Sequence, residues 1–173
     1  SDSPPNRDME WSESGIEGSW RFLNKLWKFV KNLPKNKSNY KLPSHLSQKN
    51  KELLTVMNIT IKDVTDAIDD FHFNSAVASI RSLFNSLSSY KIEDISDNYV
   101  IYHVTQNLLI LINPMTPHLA EELWHCLNNQ NTTIANENWP KVNLSFIQEN
   151  NVKIPIQVNG KVRAIIEVPK DLN

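Results

Sequence analysis

The spacing of apolar residues changes once along this chain, and the change divides it into two kinds of structure. Through most of the chain apolar side chains recur every three or four positions, the period of an amphipathic helix. From residue 152 they alternate instead, with Val152, Ile154 and Ile156 set against Lys153 and Gln157, the period of a half-buried strand. The sequence therefore predicts a mainly α protein that ends in a short β segment.

Five helices are predicted from the helical period and from the residues that interrupt it. The short stretches between them predict an antiparallel helical bundle. Residues Asn128 to Asn151 are predicted to be a polar loop. The first helix runs from Ser12 or Ser14 to about Asn32, and the fifth from its N-cap Thr116 through Leu127. The second is marked by apolar residues from Leu46 and ends near Asp69, and apolar residues from Phe73 to Leu87 and from Val100 to Ile112 mark the third and fourth.

The first predicted helix carries an apolar arc and a basic face. Arg21, Lys25 and Lys28 fall together opposite the arc. Such a face is usually solvated, and the alternative is a track for phosphate groups. Aromatic residues at the arc are predicted to pack in the core rather than stack on bases. The arc contains Ile16, Leu23, Leu26, Trp27, Val30 and Leu33, with Trp20, Phe22 and Phe29 at its margins.

Composition excludes several classes of protein. No apolar run reaches the roughly 18 residues of a membrane span, and the first residues do not form a secretory signal. A single cysteine, Cys126, rules out an internal disulfide and favours a reducing, cytoplasmic compartment. The net charge is −1, so binding to nucleic acid would depend on local basic faces.

No catalytic or metal constellation stands out. His118 and His125 lie seven positions apart without the acidic residue of an H-E-x-x-H motif, so structural histidines are favoured over a metal site. Cys126 is predicted to be a small buried side chain, because adjacent helix positions project apart and cannot easily pair it with His125. Glu121 and Glu122 are predicted to stabilise the start of their helix rather than to act in catalysis.

Several strings resemble the C-terminal part of bacterial-type leucyl-tRNA synthetases, which are class I aminoacyl-tRNA ligases. The segment Asn113–His118 is shared more widely with the isoleucyl and valyl relatives, whereas Val158–Arg163 resembles the opening of the leucyl enzymes' own C-terminal domain. The matching strings are Ser3–Ser12 (SPPNRDMEWS), Arg21–Trp27 (RFLNKLW), Phe73–Ala76 (FNSA), Asn113–His118 (NPMTPH) and Val158–Arg163 (VNGKVR).

The resemblance implies a division of the chain and a missing active site. It implies a linker over residues 1–11, an anticodon-binding helical bundle over 12–150, and the start of a C-terminal α/β domain over 151–173. The HIGH-type and KMSKS-type signatures of ATP binding are absent from these residues, as are the editing motifs. By resemblance, ATP and Mg²⁺ belong to the catalytic domain of the parent chain, and no cofactor is expected here.

By the same resemblance, the chain would hold tRNA(Leu) while the parent enzyme attaches leucine to it. Arg21, Lys25, Lys28, Lys161 and Arg163 are the predicted contacts to phosphate and sugar, which position a nucleic acid without reading its sequence. Two alternatives remain. One is the same domain of a valyl or isoleucyl enzyme, and the other is a helical protein-interaction module without an RNA role.

The predicted hairpin allows two registers. A two-residue Asn159–Gly160 turn would place Ile156 opposite Arg163. A three-residue loop, Val158 to Gly160 with a bulge, places Ile156 opposite Val162 and keeps apolar residues on one face. The second register is predicted, because it also places Lys161 and Arg163 on the same face of the hairpin as Gln157.

Overall fold

The predicted helices are present in the structure, which is a computed structural model. It describes residues 13–34, 43, 45–127 and 132–147, together with the backbone of 151–158 and 161–169. The chain forms two compact units, Ser1–Val142 and Asn143–Asn173. The helices are α1 (Glu13–Lys31), α2 (Gln48–Asp69), α3 (Phe73–Ser89), α4 (Ile95–Ile112), α5 (Pro117–Cys126) and the short α6 (Leu144–Ile147).

The first unit is a helical bundle. Residues 70–72 connect α2 to α3, residues 90–94 connect α3 to α4, and the three helices pack side by side. This is the arrangement of consecutive antiparallel helices. α5 packs against α4, and α1 packs against α3 and α5. The predicted helical fold is therefore confirmed, whereas the predicted boundaries at residues 11 and 150 stay a prediction.

The core of the bundle is aliphatic. Its members come from every long helix and repeat at the helical spacing that the sequence shows. The largest side chains with essentially no exposed surface include Leu26 of α1, Ile61 and Val64 of α2, Ile80, Leu83 and Leu87 of α3, Leu108, Leu109 and Leu111 of α4, and Leu123 of α5.

Helix ends follow local side-chain chemistry. The Ser47 hydroxyl accepts a hydrogen bond from the Asn50 backbone N–H at 3.3 Å and caps α2. Pro117 occupies the first turn of α5, as predicted. Thr116 holds the N-cap position, but its side chain does not cap the helix and instead lies 3.5 Å from the Ile112 carbonyl oxygen.

The end of α2 contains a backbone conformation that is unusual for a large side chain. Phe71 has a φ of 58°. Its N–H donates to the Ile68 carbonyl at 3.0 Å, and the N–H of His72 donates to the Ala67 carbonyl at 2.7 Å. These two bonds define a Schellman motif, in which glycine or asparagine usually occupies the position of Phe71.

The predicted loop between α5 and the first strand contains regular structure, so that prediction was wrong in part. A 3₁₀ turn covers Ile134–Asn136, and α6 covers Leu144–Ile147. Ile134 is 2 % exposed and anchors the turn in the core of the first unit. The Trp139 indole N–H donates to the Thr65 hydroxyl at 2.9 Å and ties the residues just after the turn to α2.

Two apolar residues of α1 are exposed, contrary to the predicted arc. Trp20 is 66 % exposed and Ile16 is 44 % exposed, whereas Leu26 and Val30 are buried. The buried face of α1 is therefore centred on Leu26 and turns toward Phe22 and Phe29. The prediction that Trp20 packs in the core was wrong, because α3 and α5, which pack against α1, leave one margin of the wide apolar arc uncovered.

In the second unit, β1 (Asn151–Val158) pairs antiparallel with β2 (Lys161–Pro169). Neither register considered for the hairpin is observed. Val158 pairs with Lys161, as for a two-residue connection, but a bulge then places Ile156 opposite Ala164. The predicted three-residue loop was wrong. The bulge keeps apolar residues paired, with Ile154 opposite Ile166 and Val152 opposite Val168.

Candidate nucleic-acid interface

The basic row of α1 lies on the solvent side of the helix, as predicted. Arg21, Lys25 and Lys28 are exposed. Four basic residues and no acidic residue lie between positions 20 and 31. Lys28 and Lys31 stand in the last turn, where positive charge also complements the helix dipole. Lys25 and Lys28 are thus accessible to a polyanion, and Lys28 also stabilises the end of the helix.

Arg21 is engaged by an acidic neighbour one turn earlier. Its guanidinium lies 3.5 Å from the Glu17 carboxylate, and both side chains are about two-thirds exposed, at 65 % and 66 %. Such an exposed pair one turn apart contributes little to stability, because water and salt screen it. Glu17 therefore competes with any phosphate for Arg21.

Aromatic packing fixes the rotation of α1 on the bundle. The rings of Phe22 and Phe29 meet the ring of Phe84 edge-on, with centroids 5.6 and 5.7 Å away. Arg81 of α3 lies 5.3 Å from the Phe22 centroid and donates to the Ser19 hydroxyl at 3.0 Å. These contacts hold the Leu26 face inward and so hold the basic row outward.

Trp27 lies at the border between the core and solvent. It is half-buried, and the ammonium of Lys31 sits 5.2 Å from its ring centroid. A cation at this distance from an indole face is attracted by the ring quadrupole. Trp27 thus packs as predicted, although less deeply than a central core residue.

The remaining predicted contacts belong to the second unit and are described by their backbone only. Lys161 begins β2 opposite Val158. Gln157 pairs with Val162 and Ile156 with Ala164, so Arg163 is the extra residue of the bulge. The predicted pairing, which was to bring Lys161 and Arg163 together with Gln157, is therefore not the one observed.

A cluster of charged residues that the sequence reasoning missed joins α2 to the connection between α3 and α4. The Lys49 ammonium lies 2.8 Å from Asp97 and 2.6 Å from Glu93, and it donates to the Lys91 carbonyl at 3.2 Å. The Tyr90 hydroxyl donates to the Asp97 carboxylate at 2.9 Å and also contacts the Asn50 amide.

The cluster shifts the pKa values of its members. Burial raises the pKa of the Asp97 carboxyl, but hydrogen bonds from Lys49 and from the N–H groups of Glu93 and Asp94 outweigh burial and hold that pKa well below its usual value. Burial and the bond to Asp97 raise the pKa of Tyr90. Hydrogen bonds to Asp97 and Glu93 raise the pKa of Lys49. At neutral pH the ion pair is fully charged.

One local signal could have located part of this cluster. Asp94 and Asp97 form a capping box at the start of α4, with Asp94 accepting from the Ser96 N–H at 2.9 Å and Asp97 accepting from the Asp94 N–H at 3.1 Å. The D-x-x-D spacing is visible in the sequence. The partner Lys49 lies more than forty positions earlier, so only the fold brings it to Asp97.

Glu121 and His125 of α5 make contacts that support the local structure. Glu121 accepts from the Ile134 N–H at 3.1 Å and lies 3.0 Å from the His125 imidazole, so it anchors the 3₁₀ turn. His118 is exposed. Cys126 is a half-buried free thiol, less buried than predicted. Over the described residues, no three potential metal ligands come together.

In the part of the chain that the structure describes, no helix has both the length and the hydropathy that crossing a bilayer requires.

Comparison with known proteins gives a consistent family. Residues 50–173 match the model of the anticodon-binding domain of tRNA ligases. The chain is 38 % identical over 173 residues to a leucine–tRNA ligase of Paramagnetospirillum magneticum, covering 100 % of this chain and 20 % of that protein. It is 34 % identical over 176 residues to a leucine–tRNA ligase of Fusobacterium nucleatum, covering 98 % of this chain and 20 % of that protein.

A solved structure agrees with these sequence matches. It is described as the ternary complex of Agrobacterium radiobacter K84 agnB2 LeuRS with tRNA and LeuAMS, and it superposes on 95 % of this chain and 21 % of its own, with a TM-score of 0.71 and 26 % identity. The fold is thus that of a tRNA-ligase helical domain. The chain belongs to the family of anticodon-binding domains of tRNA ligases, in the leucyl branch, which confirms the predicted resemblance.

Proposed function

We propose that this chain is the part of a leucine–tRNA ligase that holds tRNA(Leu), and that the basic row of α1 contacts its phosphate groups. The observation that carries the proposal is the exposed row Arg21, Lys25 and Lys28 on a helix that lacks acidic residues from position 20 to 31. The leucyl relatives and the tRNA-bound structure named above support tRNA as the polyanion.

The chain spans about one fifth of the length of the relatives that it matches. The ATP-dependent attachment of leucine, with ATP and Mg²⁺, is therefore proposed for the whole protein and not for these residues. The catalytic domain of the parent chain would be the second partner, and the cytoplasm the compartment.

Positioning by α1 follows from its attachment to the bundle. Contacts to phosphate and sugar fix the register of a nucleic acid and do not read its bases. The edge-on packing of Phe22 and Phe29 against Phe84 holds the basic row at a fixed angle to α3. Charged side chains on a helix held in this way can thus set the position of a tRNA backbone. Lys161 and Arg163 are proposed as separate contacts to the tRNA backbone, made by the second unit.

Titration with tRNA at two salt concentrations tests the proposal. If roughly three phosphates are neutralised, at a slope of about −0.9 per contact, the affinity falls roughly fortyfold between about 50 and 200 mM salt. Replacing Lys25 or Lys28 by Ala should reduce the slope by about one contact each. Lys51→Ala, which removes an exposed lysine of α2, should leave the slope unchanged.

Two results would count against the proposal. An absence of binding at the lower salt concentration would favour the helical protein-interaction module. Equal affinity for tRNA(Leu), tRNA(Val) and tRNA(Ile), measured with the whole parent protein, would remove the leucyl assignment of the substrate.

A further inference from the structure

The most exposed aromatic side chain of α1 is Trp20. It is 66 % exposed, although indole is among the largest side chains that a core can bury. Ile16, one turn earlier, is 44 % exposed, and Trp27, about 10 Å further along the helix axis, is half-buried. These residues form a stripe along α1 that the bundle leaves in contact with solvent.

The charge around Trp20 distinguishes it from a second exposed aromatic residue. Phe71 is also 66 % exposed, but it follows Asp69 and Asp70. From Trp20 to Lys31 four residues are basic and none is acidic, and Arg21 is the next residue in sequence. The acidic residue one turn before Trp20, Glu17, is paired with Arg21. An aromatic surface beside cations complements a ligand that carries both anionic groups and flat rings, whereas Phe71 has acidic neighbours. A nucleic acid has this chemistry.

We infer that Trp20 is a stacking site for an unpaired nucleobase of RNA. The inference rests on the proposed function and adds a contact to a base to the phosphate contacts of the basic row. Every base has a face that can stack on indole, but in a duplex both faces are covered by neighbouring pairs. The base must therefore come from a loop or another unpaired segment of the tRNA.

The geometry of α1 suits such a site. Trp20 and the basic row lie side by side on one helix, so a strand held by its phosphates at Arg21 and Lys28 can turn a base onto the indole. Phe22 and Arg81 anchor the opposite side of α1 to α3, with the Arg81 guanidinium 5.3 Å from the Phe22 ring centroid. The helix cannot rotate to bury Trp20 without losing these contacts.

Binding of the 173-residue chain to three RNAs tests the inference. The RNAs are tRNA(Leu), a single-stranded oligoribonucleotide, and a duplex of the same length. Trp20→Ala should weaken binding of tRNA and of the single strand about tenfold, within the range for one stacked base, and leave binding of the duplex unchanged. The salt slope should stay as in the unmodified chain, because stacking releases no counterions.

Two further variants separate stacking from exposure alone. Trp20→Phe keeps an aromatic face and should retain most of the affinity for the single strand. Phe71→Ala removes an equally exposed aromatic side chain and should change none of the three affinities. Circular dichroism of each variant should show unchanged helicity, since both residues are solvated.

The outcomes are distinct for the inference and for the proposed function. If the unmodified chain and Trp20→Ala bind tRNA equally while Lys25→Ala weakens binding, the stacking site is overturned and the phosphate row stands. If the unmodified chain binds no RNA, both are overturned. If it sediments as a dimer that Trp20→Ala separates, with RNA affinity unchanged, the stripe is an interface between copies and the inference is overturned.

Discussion

The ammonium nitrogen of Lys49 lies 2.8 Å from Oδ2 of Asp97 and joins the first turn of α2 to the first turn of α4. Asp97 is 1 % exposed, and Lys49 retains 31 % of its side-chain surface in contact with water. The buried carboxylate also accepts from the N–H groups of Glu93 and Asp94, at 2.9 and 3.1 Å. This pair fixes the α3–α4 connection against α2.

Removing the carboxylate should destabilise the bundle. Asp97→Ala loses a capping interaction and leaves Lys49 without its buried partner. Breaking a buried pair typically costs about 3 to 5 kcal/mol, and the partial exposure of Lys49 to water lowers our expectation to about 2 to 3 kcal/mol. Urea denaturation monitored by circular dichroism measures the change.

A matched ion pair provides the control for that variant. Lys62 and Asp66 of α2 lie 2.7 Å apart, but their side chains are 56 % and 60 % exposed. Asp66→Ala should leave the unfolding free energy almost unchanged, because exposed pairs contribute little. Equal losses for Asp97→Ala and Asp66→Ala would show that burial of the first pair has no energetic consequence.

Stability should fall in two windows as the pH is lowered. Burial lowers the pKa of His103 below its ordinary 6.5, so the unfolded chain takes up a proton first and stability is lost as the pH falls below about 6.5. The folded-state pKa of Asp97 lies below the ordinary 3.8, so its contribution is complete above that value and is lost as the pH falls further.

Single substitutions assign the two windows. His103→Gln should flatten the dependence of the unfolding free energy on pH just below about 6.5, and Asp97→Asn should flatten it below about pH 3.8. Urea titrations at each pH measure both slopes. An unchanged slope below pH 4 in Asp97→Asn would mean that other carboxylates dominate the acid transition.

Neighbouring residues of α1 should differ sharply in their contributions to stability. Leu26 has no exposed surface, so Leu26→Ala should cost about 3 kcal/mol. Trp27→Ala should cost less than Leu26→Ala, because Trp27 is only half-buried. Lys25→Ala, the exposed control, should stay within about 0.5 kcal/mol. Similar melting temperatures for all three variants would refute the facial assignment of the helix.

Glu17 should weaken RNA binding through its ion pair with Arg21. Glu17→Gln removes a negative charge 3.5 Å from the guanidinium and leaves Arg21 available for phosphate. We expect the affinity for tRNA to rise about twofold to threefold at low salt, with a steeper salt dependence. Glu52→Gln, which removes an exposed carboxylate from α2, is the control for net charge. The same gain in both variants would indicate a general charge effect.

Helix positions and ends could be predicted from the sequence because their causes are local. Apolar spacing, Pro117 and the acidic residues up to Asp69 act within a few positions along the chain, and the observed bounds of α1, α2, α3 and α5 agree with them to within about two residues. The start of α4 was missed, because the helix begins at Ile95, ahead of Val100, the first residue that marked it. The exposed basic row of α1 followed from the same periodicity. The leucyl resemblance was likewise carried by short strings, and the family model and relatives confirm it.

The hairpin register shows how local and longer-range preferences were reconciled. A two-residue connection brings Val158 opposite Lys161. Without a bulge, this pairing would place apolar residues farther from the turn, such as Ile156, opposite charged ones. The bulge at Arg163 restores their alignment, with Ile156 opposite Ala164. Each preference was visible in the sequence, but the insertion of one unpaired residue to satisfy both was not.

The sequence by itself determined that α1 has an apolar arc and a basic face, because a helix places each side chain at a fixed angle. It did not determine which part of the arc is buried. Phe22 and Trp20 lie about 160° apart around the helix, and the surfaces of α3 and α5 against which α1 packs do not cover both. α3 meets α1 through Phe84 at the side of Phe22, and Trp20 stays in solvent. Tertiary contacts likewise brought Lys49 to Asp97, since no local rule relates residues on different helices.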